Sequence, residues 1–317
     1  MINLQTKIPL EKQPHNQIDY NSKILLLGSC FSENIGYRFS YFKFQSTINP
    51  FGILFHPLAI ETLIIRAINK DYYVDSEVKF NNEQYYCLDA HSKLNSNSKK
   101  DLLKSLNSQI DHTNKHLKEV SHLIITLGTS WVYRHIATDT VVANCHKIPQ
   151  KQFIKELLSV EDISESLQAI ISLVREVNPN IKIVFTVSPV RHLKDGFVEN
   201  SQSKAHLISA VQGVVDPRQQ QYYFPSYELQ MDELRDYRFY AEDMIHPNEL
   251  AIDYIWERFK TVWFTDQAIA TSEEILKIQK GLAHKPFNEK SEAHKAFLKN
   301  LQVKITQLQH QYSHIVF

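Results

Sequence analysis

The stretch "KILLLGSCFSENIG", residues 23–36, joins an apolar strand to a polar segment with the composition of a helix. Gly28 ends the strand, and two side chains of nucleophile type, Ser29 and Cys30, follow it directly. The chain has only seven glycines in 317 residues, so a glycine here indicates backbone that turns sharply or approaches another group closely. The stretch therefore predicts a tight strand-to-helix turn that presents one of the two side chains. The first N–H groups of the following helix would favour a developing oxyanion there.

Further apolar runs along the chain predict the rest of a sheet. Most of them are continuous rather than alternating, which is typical of parallel strands covered on both faces. Amphipathic patterns at residues 56–69 and 162–177 predict helices that cross between strands. The expected fold class is α/β, with a mainly parallel sheet of five strands and right-handed crossovers. The predicted strands are residues 23–27, 44–48, 122–127, 181–187 and 221–224.

The domain organisation follows from where these patterns stop. We expect one domain over residues 1–262, with an insertion at about 71–120 that holds a hairpin near 71–95 and a helix at 99–120. Residues 263–317 predict a C-terminal helical extension, a hairpin whose second helix has one apolar stripe that packs on the body or forms a homodimer. The stripe consists of Phe297, Leu301, Ile305, Leu308 and Tyr312.

Composition excludes several classes of function. Thirty-five basic residues balance thirty-five acidic ones, so no overall field attracts nucleic acid. No run approaches the ~18 apolar residues that span a bilayer, and the N-terminus lacks an apolar signal-peptide core. Three widely spaced cysteines without a CxxC favour neither a disulfide framework nor a zinc site, and His112 and His116 lack a third ligand. We therefore expect a cytoplasmic protein without metal or cofactor.

Chemistry-bearing residues follow several of the predicted strands. Ligands of open α/β sheets bind at the carboxyl ends of the strands, and there the loops after strands one to four should meet. A nucleophilic serine needs a base, and the base needs a group that orients it. Asp243 and His246 supply both, because a spacing of three in a tight loop lets the carboxylate reach the near ring nitrogen and leaves the far one facing the site. The loops that should meet contain Ser29, "NPFG" (49–52), "GTSW" (128–131) and "SPVRH" (188–192).

These short motifs together resemble the GSCFA family, which is similar to the SGNH (GDSL-like) hydrolases. The likeness runs from about residue 23 to about residue 262 and rests on "GSCF", "NPFG", "TLGTSWVY", "NCHKIP", "SPVRHLKDG" and "EDMIHPN" in this order. It implies a flavodoxin-like fold, a three-layer α/β/α sandwich with five mainly parallel strands in the order 2-1-3-4-5. It also implies Ser29 as nucleophile, with Asp243 and His246 completing the triad. It also implies an oxyanion hole built from the nucleophile's own N–H, a second-motif Gly N–H and a third-motif Asn side chain.

The resemblance is incomplete at the oxyanion hole. Gly52 or Asn49 would fill the second role, but Ser130 stands where the third motif has Asn. Thr129, Ser130 or the Asn49 amide would have to replace the missing donor, and one lost donor costs about 2.7–4 kcal/mol of transition-state stabilisation. The strand-end loops supply the remaining candidates for substrate contact: Gly128, His146, Arg191 and His192.

Two cysteines are rival nucleophiles. Cys30 is intrinsically more reactive than Ser29, but residues adjacent at a strand end point apart, so only one of them can face the base. We expect Ser29 to face it and Cys30 to pack in the interior. Cys145 and His146 are neighbours in sequence and cannot readily pair.

The sequence thus predicts a serine hydrolase that cleaves a small-molecule or carbohydrate ester, such as an O-acetyl group on a sugar, through an acyl-Ser29 intermediate. An acyltransferase with the same intermediate is one alternative. A binding or scaffold protein on a decayed hydrolase fold is the other, and the missing third-motif Asn supports it. The segments at 71–95 and 129–150 are expected to line the pocket as loops.

Overall fold

A central sheet of five parallel strands organises residues 6–317, the part of the chain that this computed structural model describes. The strands are β1 (Lys23–Gly28), β2 (Gln45–Ile48), β3 (Lys79–Asn81), β4 (Gln84–Tyr86), β5 (His122–Leu127), β6 (Trp131–His135), β7 (Thr140–Val142), β8 (Phe153–Leu157), β9 (Lys182–Val187) and β10 (Gln221–Tyr223). The helices are α1 (Cys30–Tyr41), α2 (Pro57–Asn69), α3 (Lys99–Glu119), α4 (Val160–Val177), α5 (Phe197–Val214), α6 (Ser226–Glu228), α7 (Glu249–Trp263), α8 (Asp266–Leu282) and α9 (Glu292–Gln311).

The order of strands in this sheet is β10-β9-β5-β1-β2, and every pair is parallel. Numbered along the chain, this is the predicted order 2-1-3-4-5, which is confirmed. Gly28 at the end of β1 is paired with Thr126 near the end of β5, so the carboxyl ends of the central strands lie side by side. The loops that follow these strands therefore meet at one edge.

The side chains of the sheet alternate between two cores, which makes the molecule a three-layer sandwich. Leu25 and Leu27 of β1 pack with α2, α3, α4 and α5 on one face. Ile24 and Leu26 pack with α1, α7, α8 and α9 on the other. All four are buried, and a fully buried Leu or Ile contributes about 1.5–3 kcal/mol. Burial on both faces explains why β1 is a continuous apolar run.

The C-terminal helices pack on the body of the same chain. Leu301, Ile305 and Leu308 of α9 are buried in the core that contains α1 and α7, whereas Phe297 remains 38% exposed at the edge of the stripe. The Gln279 amide of α8 also donates a hydrogen bond to the Tyr41 carbonyl, at 2.9 Å. The apolar stripe is thus largely covered within one chain, and a homodimer through these helices stays a prediction.

Two segments differ from the sequence expectation. Residues 131–157, expected in part as a pocket-lining loop, form a three-stranded antiparallel sheet in the order β7-β6-β8. Strands of three to five residues with mixed polarity carry too short an alternation to be recognised. The hairpin β3–β4 is present, but α3 packs beside α2 and α4 as part of the helical layer. No helix among residues 6–317 is both long and apolar enough to cross a bilayer.

Candidate active site

The turn after β1 is as tight as the sequence predicts. Gly28 has φ +135°, and a Cβ added there would lie 2.1 Å from the carbonyl oxygen of Thr126. Ser29 then donates its N–H to that same carbonyl at 3.0 Å. Its Oγ accepts a hydrogen bond from the N–H of Phe31 at 3.3 Å, which makes Ser29 the N-cap of α1. Ser29 is only 1% exposed, so its hydroxyl serves the start of the helix.

A cavity of about 450 Å³ opens at the carboxyl ends of the strands. Cys30, the first residue of α1, borders it and is partly exposed, whereas Ser29 does not contribute to its wall. Cys30, and not Ser29 as expected from the sequence, therefore borders the cavity, while Cys30 also packs partly against the core that contains α1 and α7. The reason is the cap: a serine that closes the first turn of a helix turns inward, and the next residue points out. The apolar part of the wall comes from Phe55, Val132, Val142, Ala143 and Val190.

The Asp243–His246 pair lies on the same cavity, to which His246 contributes. Asp243 Oδ2 lies 2.7 Å from His246 Nδ1, and its Oδ1 accepts hydrogen bonds from the backbone N–H groups of Ile245 and His246, at 2.9 and 3.0 Å. Because an ionised carboxylate only accepts, Nδ1 must carry the ring proton of a neutral imidazole. Nε2 is then left free to take a proton, which is the arrangement of a general base with its orienting group.

The Asp243 carboxylate should hold this loop over a defined range of pH. Hydrogen bonds from the His246 N–H, the His246 ring and the Ile245 N–H lower the pKa of Asp243 from 3.8 to about 2. A depressed carboxyl pKa stabilises the folded loop above about pH 4, and this contribution is lost as the pH falls toward 2. We expect the amide shifts of Ile245 and His246 in NMR spectra to titrate with a midpoint near 2. A midpoint near 3.8 would show that the bonds to Asp243 are not formed in solution.

Arg191 fastens the loop that carries the pair. Its backbone N–H donates to the Ile245 carbonyl at 3.2 Å. Its guanidinium lies over the Tyr240 ring, 4.4 Å from the ring centroid, and 5.4 Å from the centroid of Tyr237. Arg191 thus borders the cavity and also holds the loop that carries Asp243 and His246.

His192 is a second imidazole at this cavity, and it is neutral. Burial, followed by the charges of Lys204 and His246, lowers the pKa of His192 to about 3. Its Nε2 is buried and has no hydrogen-bond partner within residues 6–317. That nitrogen lies against the loop after β5, since a Cβ on Gly128 would be 3.3 Å from it. A neutral ring with an unpartnered nitrogen can donate to or accept from a bound molecule.

Of the two second-motif residues, Asn49 retains a free donor. The N–H of Gly52 donates to the Asn49 carbonyl at 2.8 Å and is therefore occupied. The Asn49 side chain accepts the Gly28 N–H at its Oδ1, at 2.9 Å, which fixes the amide beside the turn. Its Nδ2 is buried and makes no hydrogen bond within the described part of the chain. A buried donor without a partner is costly, so Asn49 is the second-motif residue with an unused donor, although it does not contribute to the cavity wall.

The residues of the third motif already make hydrogen bonds within the fold. The N–H groups of Gly128 and Thr129 both donate to the Phe55 carbonyl, at 2.7 and 3.2 Å. Ser130 is fully buried, with its N–H bonded to Ser203 Oγ at 2.8 Å and its own Oγ bonded to the Ser203 carbonyl at 3.2 Å. Of these, Thr129 borders the cavity. Ser130 therefore does not replace the missing Asn as an oxyanion donor.

His146 contacts backbone carbonyl groups of the fold and does not border the cavity. Its Nε2 lies 2.8 and 3.0 Å from the carbonyl oxygens of Cys87 and Ala90, and the side chain is buried away from the cavity wall. Its chain neighbours Asn144 and Cys145 border the cavity instead. The motif around His146 thus contributes to the pocket, but through other residues than the predicted one.

Lys204 is a residue of this region that the sequence analysis missed. It is 1% exposed, and its Nζ donates to the carbonyl oxygens of Gly128 and Ser188, both at 2.7 Å, which lie just after β5 and β9. Burial lowers its pKa to about 7, and a charge on Cys30 raises it, which places the ammonium near that thiol. The available signal was a polar face on α5, where Asn200, Ser203 and Lys204 are all buried at helical spacing.

Among residues 6–317, no three His, Cys, Asp or Glu side chains come together as metal ligands.

Comparison with models of protein families gives two matches, and both carry the same family name. The model of the GSCFA family matches residues 23–259, and the model of the GSCFA domain protein, C-terminal domain, matches residues 275–317. A search of curated proteins finds no match.

Solved structures give weaker similarities. A carbohydrate esterase family 3 from Talaromyces cellulolyticus is 8% identical with a TM-score of 0.38, and a mutant of an acetyl esterase, crystallised with acetate ion, is 11% identical with a TM-score of 0.32. Each alignment covers 80% of this chain and 99% of the other. These scores are too low for either activity to be transferred to the present chain.

Proposed function

The chain belongs to the GSCFA family, and from the geometry of its candidate site we propose that it hydrolyses carboxylic esters through an acyl-enzyme intermediate. The observation that carries the proposal is the Asp243–His246 pair, held at 2.7 Å on the wall of a cavity at the carboxyl ends of the strands. The same cavity borders the turn after β1, where the nucleophile of an SGNH-type hydrolase would lie. A base, its orienting carboxylate and a nucleophile at a helix N-terminus are the parts that acyl transfer needs.

The steps follow from these parts. His246 Nε2 accepts the proton of the nucleophile as the nucleophile attacks the ester carbonyl. The buried Nδ2 of Asn49 and the first N–H of α1 are the donors available to the oxyanion. The leaving alcohol receives the proton from His246, and water activated by the same ring then hydrolyses the acyl-enzyme.

The cavity limits the substrate. Its volume of about 450 Å³ is that of a small-molecule pocket, and its largely apolar wall has room for an acyl group together with a sugar. Trp131 on the wall, with Lys155 Nζ 4.4 Å from its ring centroid, offers a polar and aromatic surface to the alcohol part. O-acetylated sugars are therefore the carbohydrate esters that we propose to test first.

The proposal is tested by measuring hydrolysis of 4-nitrophenyl acetate, butyrate and octanoate and of an acetylated methyl xyloside. We expect the short esters to be the better substrates, and Asp243→Asn to lower kcat strongly, because an amide N–H facing Nδ1 forces the ring proton onto Nε2. Asp236→Asn is the matched control, since Asp236 caps a neighbouring turn through the N–H of Arg238. Transfer of acetyl to added glycerol in preference to water would identify an acyltransferase. Binding without turnover of any ester would identify a scaffold.

A further inference from the structure

We infer that the acyl group is carried by the thiol of Cys30 and not by the hydroxyl of Ser29, so that the enzyme is a thiol-dependent ester hydrolase. The inference rests on the proposed function and names its nucleophile. It depends on four observations at the turn after β1: the capping role of Ser29, the place of Cys30 on the cavity wall, the unpartnered donors beside it, and the base across the cavity.

Ser29 is fixed by three hydrogen bonds of the turn. Its N–H donates to the Thr126 carbonyl at 3.0 Å, its carbonyl accepts from the Ser32 N–H at 2.9 Å, and its Oγ accepts from the Phe31 N–H at 3.3 Å. To attack an ester, the hydroxyl would have to leave the helix cap and cross from a 1% exposed position. Losing a serine cap costs about 0.5–2 kcal/mol, and nothing in the turn compensates for it.

Cys30 has the position that a nucleophile requires. It begins α1 and borders the cavity that His246 also borders. The N–H groups of Phe31 and Ser32 are taken by Ser29, which leaves the N–H of Cys30 itself among the helix N–H groups that have no partner inside the helix. A tetrahedral intermediate on Sγ would place its oxyanion near this N–H.

Asn49 supplies a second and independent indication of a ligand. Asn49 is only 8% exposed. Its Oδ1 accepts a hydrogen bond from the N–H of Gly28, two residues before Cys30, and its Nδ2 has no hydrogen-bond partner within residues 6–317. A buried amide that is fixed at one end and unsatisfied at the other, beside a nucleophile turn, is suited to an oxyanion.

The thiol also needs the base. Burial raises the pKa of Cys30, and the nearby Lys204 charge opposes that rise only in part. The resting side chain is therefore the protonated thiol, and its proton must be removed during attack. His246 supplies this step in the same way as it would for a serine.

The reaction balances without any oxidant or further reactant. Sγ forms a bond to the carbonyl carbon while its proton moves to His246 Nε2. The C–O bond of the ester then breaks, and the alcohol leaves with that proton, giving a thioester on Cys30. Water gives a proton to His246 and attacks the thioester carbonyl; the C–S bond breaks, the acid is released, and the proton returns to sulfur.

The test compares four single variants with the wild type: Cys30→Ala, Cys30→Ser, Ser29→Ala and Cys87→Ala. Cys87 is the control, since it is a buried cysteine that does not border the cavity. With 4-nitrophenyl acetate we expect Cys30→Ala to lose activity by on the order of 10³-fold or more, and the Ser29 and Cys87 variants to keep it within about tenfold. Thermal unfolding of each variant shows whether it is folded.

Trapping the intermediate identifies the atom. After acid quenching, intact mass and peptide mapping should find acetyl on Cys30, and neutral hydroxylamine should remove it, as expected for a thioester. Acetyl on Ser29, or an active and folded Cys30→Ala with an inactive Ser29→Ala, would overturn the inference and leave the proposed hydrolysis standing. Absence of turnover by the wild type on every ester would overturn the proposed function, and this inference with it. Cys30→Ser with weak activity through an oxygen ester would support the position of residue 30.

Discussion

Replacing His246 with Ala should lower kcat for ester hydrolysis by about 10²–10⁴-fold, because general-base catalysis contributes a factor of this size. In the structure, His246 borders the cavity, and its Nδ1 is oriented by the Asp243 carboxylate. Without it, neither attack nor the later hydrolysis of the acyl-enzyme has a proton acceptor. KM should change much less, since the apolar wall of the cavity remains. Initial rates with 4-nitrophenyl acetate measure both parameters.

Two comparisons make this result specific. His112→Ala removes an exposed imidazole from α3, on the other side of the sheet, and should leave kcat unchanged. Added imidazole should restore part of the activity of His246→Ala, because the side chain of His246 is 45% exposed and a free ring can enter its place. If His246→Ala retains kcat while remaining folded, the Asp243–His246 pair has no part in catalysis, and the scaffold alternative gains support.

The fold was predictable because its signal is repeated along the chain. Each central strand is covered on both faces, so residues such as Leu25 and Leu26 are both apolar although they enter different cores. Continuous runs of this kind, separated by helical patterns, leave few topologies for a sheet with right-handed crossovers. The short antiparallel sheet at residues 131–157 has no such repetition, so the sequence pattern does not predict it.

The choice between Ser29 and Cys30 was a harder problem, although the sequence held the signal for it. Serine directly before an apolar helical stripe is a preferred N-cap, and a capping hydroxyl is turned to the helix backbone. Giving weight to this local rule would have placed Ser29 inward and Cys30 on the cavity. Lys204 is different, because its role depends on two carbonyl groups from distant strands. Such long-range partners are not visible in a pattern of spacing.

The donors of the oxyanion hole also depend on contacts that the sequence does not reveal. The motifs offer Asn49 or Gly52 for the second donor and Thr129, Ser130 or the Asn49 amide for the third, and only the hydrogen bonds of the folded chain separate these candidates. The N–H of Gly52 is already hydrogen-bonded to the Asn49 carbonyl, and the N–H of Ser130 is already hydrogen-bonded to Ser203 Oγ. Asn49 keeps one unpartnered hydrogen-bond donor within the described residues. Which groups remain free is a property of the whole network, and a single sequence does not report it.

Gly28→Ala adds one methyl group to the turn after β1, and we expect it to lower both stability and turnover strongly. The residue has φ +135°, which L side chains rarely adopt, and the new Cβ would lie 2.1, 2.8 and 2.9 Å from the carbonyl oxygen, carbonyl carbon and nitrogen of Thr126. All three are backbone atoms of the paired strand, so β1 and β5 must separate locally. Strained backbone and overpacking together should lower the free energy of unfolding by about 3–5 kcal/mol.

The same substitution should also reduce turnover, by about 10²-fold for each ångström that the turn moves, because Cys30 and the Asn49 amide are both fixed to it. Gly213→Ala is the matched control. It lies near the end of α5 with no atom within 4 Å of an added Cβ, and it should raise the free energy of unfolding by about 0.5–1 kcal/mol without affecting kcat. Urea unfolding and initial rates on both variants measure the two effects separately. If Gly28→Ala were as stable and as active as the wild type, the turn could not have the close approach between β1 and β5 on which the placement of Cys30 depends.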